Sequence, residues 1–444
     1  MVDAIDIAEE ILSKKNLDQW EIFWQTSSSF RCQTKKLETD FFQKADISGI
    51  AVRLVRNGKM GFSFSSNLDA NSLAQTVETA EAIADVTVED PDYGFVQPTD
   101  SKVESNGLFH PEIKDMKELD KIGISRIIEE SAFTYDKKVT SIRSSGYTDV
   151  ELDVEIRNSH GLRLHGKSGL ASIWVELMAQ AGDEQEMCYW RFQSRNPRDL
   201  DPVRLAHIAS ERAIKRLGGE RISSMKCPVL IENIVAASFL ETLSNTFLAE
   251  SHFKKTASPR ITIGAEVFSP LINIFDNGLD TDGAYAFPFD GEGTPARRTT
   301  VVRTGRIESL LSDSYYSRKM KAPITGNCRR SGFDSTPFNG ITNLFIQKGN
   351  LEIPDLMREL NSGIMITEVM GLHTANPITG DFSVGASGFL ISGGQIVRPV
   401  KGIAIAGNLL DLFNKVIFLG SDFEFFGNVG APSMVVEILA VSGQ

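Results

Sequence analysis

The sequence predicts an α+β fold in two domains: an N-terminal α+β domain with an antiparallel sheet over residues 1–220, and a β-rich C-terminal domain over 221–444. Three observations carry this reading. Helical and strand periods alternate through the first half, helix signals thin out after about residue 245, and Gly218-Gly219 with Ser223-Ser224 interrupt the chain between the halves.

In chain order, Ile5, Ala8, Ile11 and Leu12 recur at the three-and-four spacing of an amphipathic helix over 4–14. The period then becomes two: Ile50, Val52 and Leu54 alternate, Asn57-Gly58 follows, and Phe62 and Phe64 alternate after it. Asn-Gly tolerates the positive φ of a two-residue turn, so a β-hairpin is predicted. Leu73, Ala74, Val77, Ala80 and Ile83 line a second helix, with Asp69 or Asn71 as its N-cap. A third helix is predicted over 113–134, with Met116, Leu119, Ile122 and Ile127 on its buried face. Val150, Leu152, Val154 and Ile156 alternate with Glu151, Asp153, Glu155 and Arg157, as a strand with one buried face does. The turn Asn158-Ser159-His160-Gly161 leads to a further strand around Ile173, Val175 and Leu177. Leu205, Ala209, Ala213 and Leu217 mark a helix over 202–217, and Thr304-Gly305 and Gly393-Gly394 mark hairpin turns in the second half.

Composition narrows the function. Forty-six Lys and Arg against 58 Asp and Glu give a formal net charge of −12, which argues against direct contact with nucleic acid phosphates. The basic residues cluster only in short pairs such as Arg297-Arg298 and Arg329-Arg330. No run of about 18 apolar residues appears, so no membrane span is expected. The N-terminus lacks a basic segment followed by an apolar one, so no signal peptide is expected and a cytoplasmic location is. Four scattered cysteines (Cys32, Cys188, Cys227 and Cys328) read as reduced thiols.

No complete catalytic set can be assembled from the residues alone. Among the six histidines there is no H-E-x-x-H, and His160 and His165, five apart, would face opposite ways on a strand. His252 has Glu250 as a possible partner and no third ligand in view. Ser387, in Gly385-Ala386-Ser387-Gly388, sits in an alternating context that suits a strand rather than a nucleophile elbow. Asp282, Asp290 and Glu292 either bind a cation or cap turns and pair with Arg297 or Arg298. The glycine-rich stretch 371–388 reads either as a loop that contacts a peptide or a partner, with His373, Asn376, Thr379, Asp381 and Ser383 as contact residues, or as a connection held by Asx and Gly turns.

Three stretches resemble the PmbA/TldE family, once called modulators of DNA gyrase. They are Asp290-Gly291-Glu292-Gly293-Thr294-Pro295 with Arg297, the run from Asn376 to Gly388, and Ile405 to Leu410 followed by Gly427-Asn428-Val429-Gly430. Asp290, Glu292, Gly293, Asn408 and Gly430 are the motif positions expected to be structural. The resemblance implies one subunit of a heterodimeric protease that admits unfolded peptides and acts in toxin maturation and antitoxin turnover. The family's TldD-type subunit carries zinc on an H-E-x-x-x-H motif. The matching positions here hold Glu232, Asn233 and Ala237, and no cysteine follows Cys328 to match that subunit's further ligand. An alanine offers no lone pair and an amide is no base, so no catalytic residue and no metal are expected in this chain, and zinc only in its TldD-type partner. The alternatives are a stand-alone peptide-binding or scaffold homodimer, and a regulator linked to DNA gyrase, which the acidic charge disfavours.

Overall fold

The structure is a computed structural model that describes residues 4–99, 103 and 105–443. Its first half is built on a six-stranded antiparallel sheet. The strands are β1 (Gln19–Lys35), β2 (Glu38–Arg56), β3 (Lys59–Ser65), β4 (Val139–Asn158), β5 (Arg163–Ala181) and β6 (Glu184–Ser194), in the order β3-β2-β1-β4-β5-β6. The β2–β3 hairpin turns at Asn57-Gly58, where both residues have positive φ, as predicted.

One face of this sheet is covered by helices. α1 (Ala4–Ser13) and α2 (Ala70–Val86) bury Ile5, Ala8, Leu12, Leu73, Val77 and Ala80 against Ile22, Ile50, Val52 and Leu54. Asp69, rather than Asn71, caps α2 by accepting from the Ser72 amide at 2.9 Å. The helix predicted over 113–134 is instead two: α3 (Glu112–Asp115) and α4 (Glu118–Tyr135). Its buried face is also corrected. Leu119 is 80% exposed, while α4 turns Lys121, Ser125, Ile128 and Ala132 inward. The reason is polar. Lys121 forms a buried ion pair with Asp149 of β4, and Tyr147 donates to the same carboxylate at 2.7 Å, which fixes the helix's rotation. α5 (Pro202–Arg216) buries Leu205, Ala209 and Ala213 beside α4, as its spacing predicts.

β7 (Met225–Ile231) and α6 (Asn233–Leu243) open the second half. β7 lies between the strands Gly363–Met370 and Met434–Ser442; Asp381–Ser392 and Gln395–Asn408 continue the sheet beyond the first of these. Because Gln395–Asn408 pairs with Met434–Ser442 as well as with Asp381–Ser392, these five strands close on themselves as a barrel. A second six-stranded sheet of short strands runs from Ile274 to Ala431. The largest apolar cluster lies here, with α6 contributing Val235, Ala236, Phe239 and Leu240.

The other face of the N-terminal sheet meets the second half. Phe23, Ala51, Val154 and Ile156 pack against Phe289 and Phe333. The contact is close enough that a Cβ on Gly49 would lie 2.2 Å from the Phe333 ring. Among the described residues no helix is long and apolar enough to cross a membrane.

Candidate functional site

Glu232, Asn233 and Ala237, the positions that the resemblance sets against a zinc motif, lie at the turn from β7 into α6. Glu232 occupies the position before the first helical residue without a capping bond. Its carboxylate instead accepts both ends of the Arg212 guanidinium from α5, Nη1 to Oε1 at 2.6 Å and Nη2 to Oε2 at 2.7 Å. That guanidinium also lies 4.4 Å from the Trp190 ring centroid. Fork-on-carboxylate geometry is a strong form of this pairing and engages both carboxylate oxygens. Asn233 donates its backbone amide to Ser433 Oγ at 3.0 Å and its side-chain amide to the Asp422 carbonyl at 2.8 Å. Ala237 follows one turn on, 2% exposed inside the apolar cluster. Beside Glu232 a cavity of about 300 Å3 opens between α5 and the barrel, lined by Arg212, Arg216, Met365 and Phe389.

The stretch 371–388 divides. Asn376 Oδ1 accepts the Ile378 and Thr379 amides at 2.9 and 3.1 Å, closing an Asx turn. Thr379 Oγ1 donates to Asp381 at 2.8 Å, and Asn408 Nδ2 reaches Asp381 Oδ1 at 2.9 Å, while Asn408 Oδ1 caps the helix Leu409–Asn414. The hydrogen bonds from Asn408 and Thr379 hold the Asp381 carboxyl below its ordinary value. The structure thus joins Asn376, Thr379, Asp381 and Asn408 into one exposed network. It does not bring His373 or Ser383 into it; both are exposed, His373 on a short 3-10 turn and Ser383 on a strand. Ser387 is in that strand, as its alternation predicts, and donates to Glu368 at 3.1 Å.

At residue 290 the turn-capping alternative holds, and the arginine partner differs. Asp290 caps its own turn, accepting the Glu292 and Thr294 amides at 3.0 and 2.9 Å and the Cys328 amide at 3.1 Å. Glu292 pairs with Arg53 of β2 at 3.3 Å, not with Arg297 or Arg298. Arg53 also grips Glu21 of β1 with two donors, at 2.9 and 2.7 Å, and Arg330 reaches Glu21 from the other side. Burial pushes the Glu21 carboxyl up, yet the Arg53 and Arg330 charges overcome it and hold it low. Burial, aided by the Glu292 charge, raises Asp313 to about 7. Gly293 has φ +87°, and a Cβ there would meet Leu162 at 2.5 Å, so both backbone and packing demand glycine. Gly430 lies under the Phe423 ring, 2.7 Å from where a Cβ would sit. This cluster escapes sequence reasoning because Arg53 lies 32 positions from Glu21 and 239 from Glu292.

The histidines stay separate. His160 contacts Gln19, His165 contacts Asp153, and His252 meets the Thr246 carbonyl at 2.9 Å rather than Glu250. The four cysteines are free thiols.

These elements match an established family along most of the chain. Residues 20–84 match the PmbA/TldA metallopeptidase domain 1, 111–217 the central domain, and 224–443 the C-terminal domain. The chain therefore belongs to the PmbA/TldD family of metallopeptidases. It is 26% identical to Metalloprotease PmbA of Escherichia coli O157:H7, covering 100% of this chain and 96% of that one. A solved structure from Thermotoga maritima MSB8, described as a proposed modulator of a DNA gyrase, superposes with a TM-score of 0.91 at 25% identity over 99% of both chains. TldE from Thermococcus kodakarensis shares the fold, with a TM-score of 0.87 at 19% identity over 99% of both chains. Relatives named as PmbA homologue and as TldD homologue occur together in Buchnera aphidicola and in Haemophilus influenzae.

Proposed function

We propose that this chain is the non-catalytic, TldE-type subunit of a heterodimeric metalloprotease that cleaves unfolded peptides, with zinc held by a TldD-type partner. The observation that carries this is the bidentate Arg212–Glu232 pair at the first motif position. A dication bound by Glu232 would have to displace a fixed guanidinium and then tolerate its charge. Asn233 spends its amide on Asp422, and Ala237 supplies only a methyl group inside the core. The residues present do not fit a hydrolytic zinc ion, which needs imidazole, thiolate or free carboxylate donors and a base beside its water. Relatives of both types in single organisms support a paired arrangement. Peptide-toxin maturation and antitoxin turnover are the roles this reading assigns to the complex.

The test is to purify the chain alone and with a TldD-type subunit from its own organism, then follow cleavage of an unstructured peptide. Chelator-sensitive cleavage is expected only from the pair, and elemental analysis of the chain alone should show far less than one zinc per chain. Near-stoichiometric zinc in the lone chain, or proteolysis by it, overturns the reading.

A further inference from the structure

A second cavity, of about 390 Å3, lies between the N-terminal sheet and the second half, remote in the fold from the β7–α6 turn. Its floor is the sheet face opposite the helices: Gln25 and Ser27 of β1 lie across from Val154 and Leu152 of β4. Its roof carries Tyr285 and Phe287. The lining is mainly apolar, but its charges are unbalanced. Three arginines face one carboxylate, Asp290, whose oxygens the backbone amides of its own turn and of Cys328 already occupy. In a chain of net charge −12, that local excess of cation is notable.

The three arginines are partnered unequally. Arg330 has Glu21 and the Gly291 carbonyl at 2.7 Å, leaving Nη1 buried with no acceptor. Arg195 is satisfied wholly by neutral oxygens: Ser168 Oγ and the carbonyls of Gly169, Thr281, Gly283 and Ala284, at 2.5–3.2 Å. Arg329 lies flat on the Tyr285 ring, 3.7 Å from its centroid, with no described carboxylate within ion-pair distance. Burial lowers the pKa of both Arg195 and Arg329, and the charges of Asp282 on the first and of Asp276 and Asp290 on the second offset it only in part. A cation kept in an apolar cavity without its anion costs free energy, and a ligand that brings the anion recovers it.

We propose that this cavity binds the C-terminal end of a peptide, with an apolar last side chain against Val150, Leu152 and Phe287 and its carboxylate on the Arg329 guanidinium. The volume suits two or three residues, within the range of ordinary ligand sites. A peptide is favoured over a fatty acid by two polar side chains in the otherwise apolar floor. Gln25 and Ser27 make no side-chain hydrogen bond to another described residue, so they remain to serve amide groups that an acyl chain does not have. This assignment rests on the peptide-handling reading above and gives it a substrate preference: free carboxyl ends, apolar at the last position.

The test is fluorescence anisotropy of the full chain with an N-terminally labelled, unstructured heptapeptide ending in leucine, as the free acid and as the amide. The acid should bind about tenfold or more tightly than the amide, the difference expected from one charge-assisted contact. Arg329→Gln should abolish that difference while circular dichroism and melting temperature stay unchanged. The acid–amide comparison on the unaltered chain decides the matter even if the variant misfolds. Equal binding of acid and amide overturns the proposal, as does binding of added decanoate that leaves the anisotropy of the bound peptide acid unchanged. Cleavage by the reconstituted pair without any carboxyl-end preference sinks this assignment and leaves the subunit reading intact. Carboxylate-dependent binding with no partner-dependent cleavage does the reverse.

Discussion

Two arginine–carboxylate clusters in this chain use the same chemistry to different ends. At the junction of the halves, Arg53 and Arg330 sit between Glu21 and Glu292, and every one of these side chains is at most 8% exposed. At the β7–α6 turn, Arg212 and Glu232 are 21% and 14% exposed and border an open cavity. The first cluster is a buried joint of two arginines and two glutamates that ties β1 and β2 to the 290 turn. The second is a single pair at the turn where the proposed function sets the missing metal motif. Burial separates the two: the junction charges are almost wholly withdrawn from solvent, although Arg330 also lines the cavity of about 390 Å3, whereas the Arg212–Glu232 pair is partly exposed.

The comparison is broken most directly at the joint. Arg53→Met removes what is, among the described residues, the only ion-pair partner of Glu292 and one of two for Glu21, leaving buried charge uncompensated. A loss of about 3–5 kcal/mol in urea-unfolding stability is expected. Adding Glu292→Gln should recover part of it, because the stranded charge is then gone. If Arg53→Met costs under about 1 kcal/mol, the joint is not what holds the halves together.

Glu232→Ala ranks next. It strands a half-buried guanidinium over Trp190 and should cost about 2 kcal/mol, measured the same way. Zinc or a chelator should leave the melting temperature of the unaltered chain in place. A zinc-dependent rise would make Glu232 a ligand and erase the contrast between the two clusters.

The third prediction concerns pH. Asp313 caps the helix Ser314–Met320, accepting from the Tyr316 amide at 2.7 Å, and burial raises its pKa from 3.8 to about 7. Between those values the folded chain binds more protons at this site than the unfolded one. Stability from this group therefore falls as pH rises from about 4 through 7. The fall should be roughly 1–2 kcal/mol once solvent screening is allowed for. Asp313→Asn keeps a good N-cap and should flatten that part of the pH profile, read by thermal melts at pH 5, 6, 7 and 8.

Much of this fold is legible in the sequence, and the exceptions share a cause. The β2–β3 hairpin, α1, α2 and α5 follow from local period and turn chemistry, which are written in neighbouring residues; the alternation of β4 holds at Val154 and Ile156, while Val150 is exposed on the face that lines the second cavity. α4 does not. Its apolar spacing points to Leu119, yet Lys121 is turned inward to Asp149, 28 residues away in sequence, and no local pattern encodes that partner. The same holds for the sites. Glu232, Asn233 and Ala237 are locatable by resemblance, but the Arg212 clamp, the joint at Arg53 and the cavity at Arg329 arise only when distant strands meet.

The mildest effects are expected in the exposed network at Asn376 and Asn408, which sharpens the comparison from outside. Asn408→Ala removes the N-cap of Leu409–Asn414 and the bond to Asp381, and should cost about 1 kcal/mol. Thr379→Val removes only an exposed hydroxyl and should stay within about 0.5 kcal/mol of the unaltered chain. If this loop meets the partner subunit or a peptide, Thr379→Val weakens complex formation in analytical ultracentrifugation, or slows peptide cleavage, without moving the melting temperature. If it is only an Asx-stabilised connection, association and cleavage keep their unaltered values, because a side chain that touches only its own turn has nothing to transmit to a neighbour. A buried cluster cannot be tested this way, since every change to it moves stability first. An exposed one can, and that separation makes the smallest predicted effect in stability the clearest test of contact.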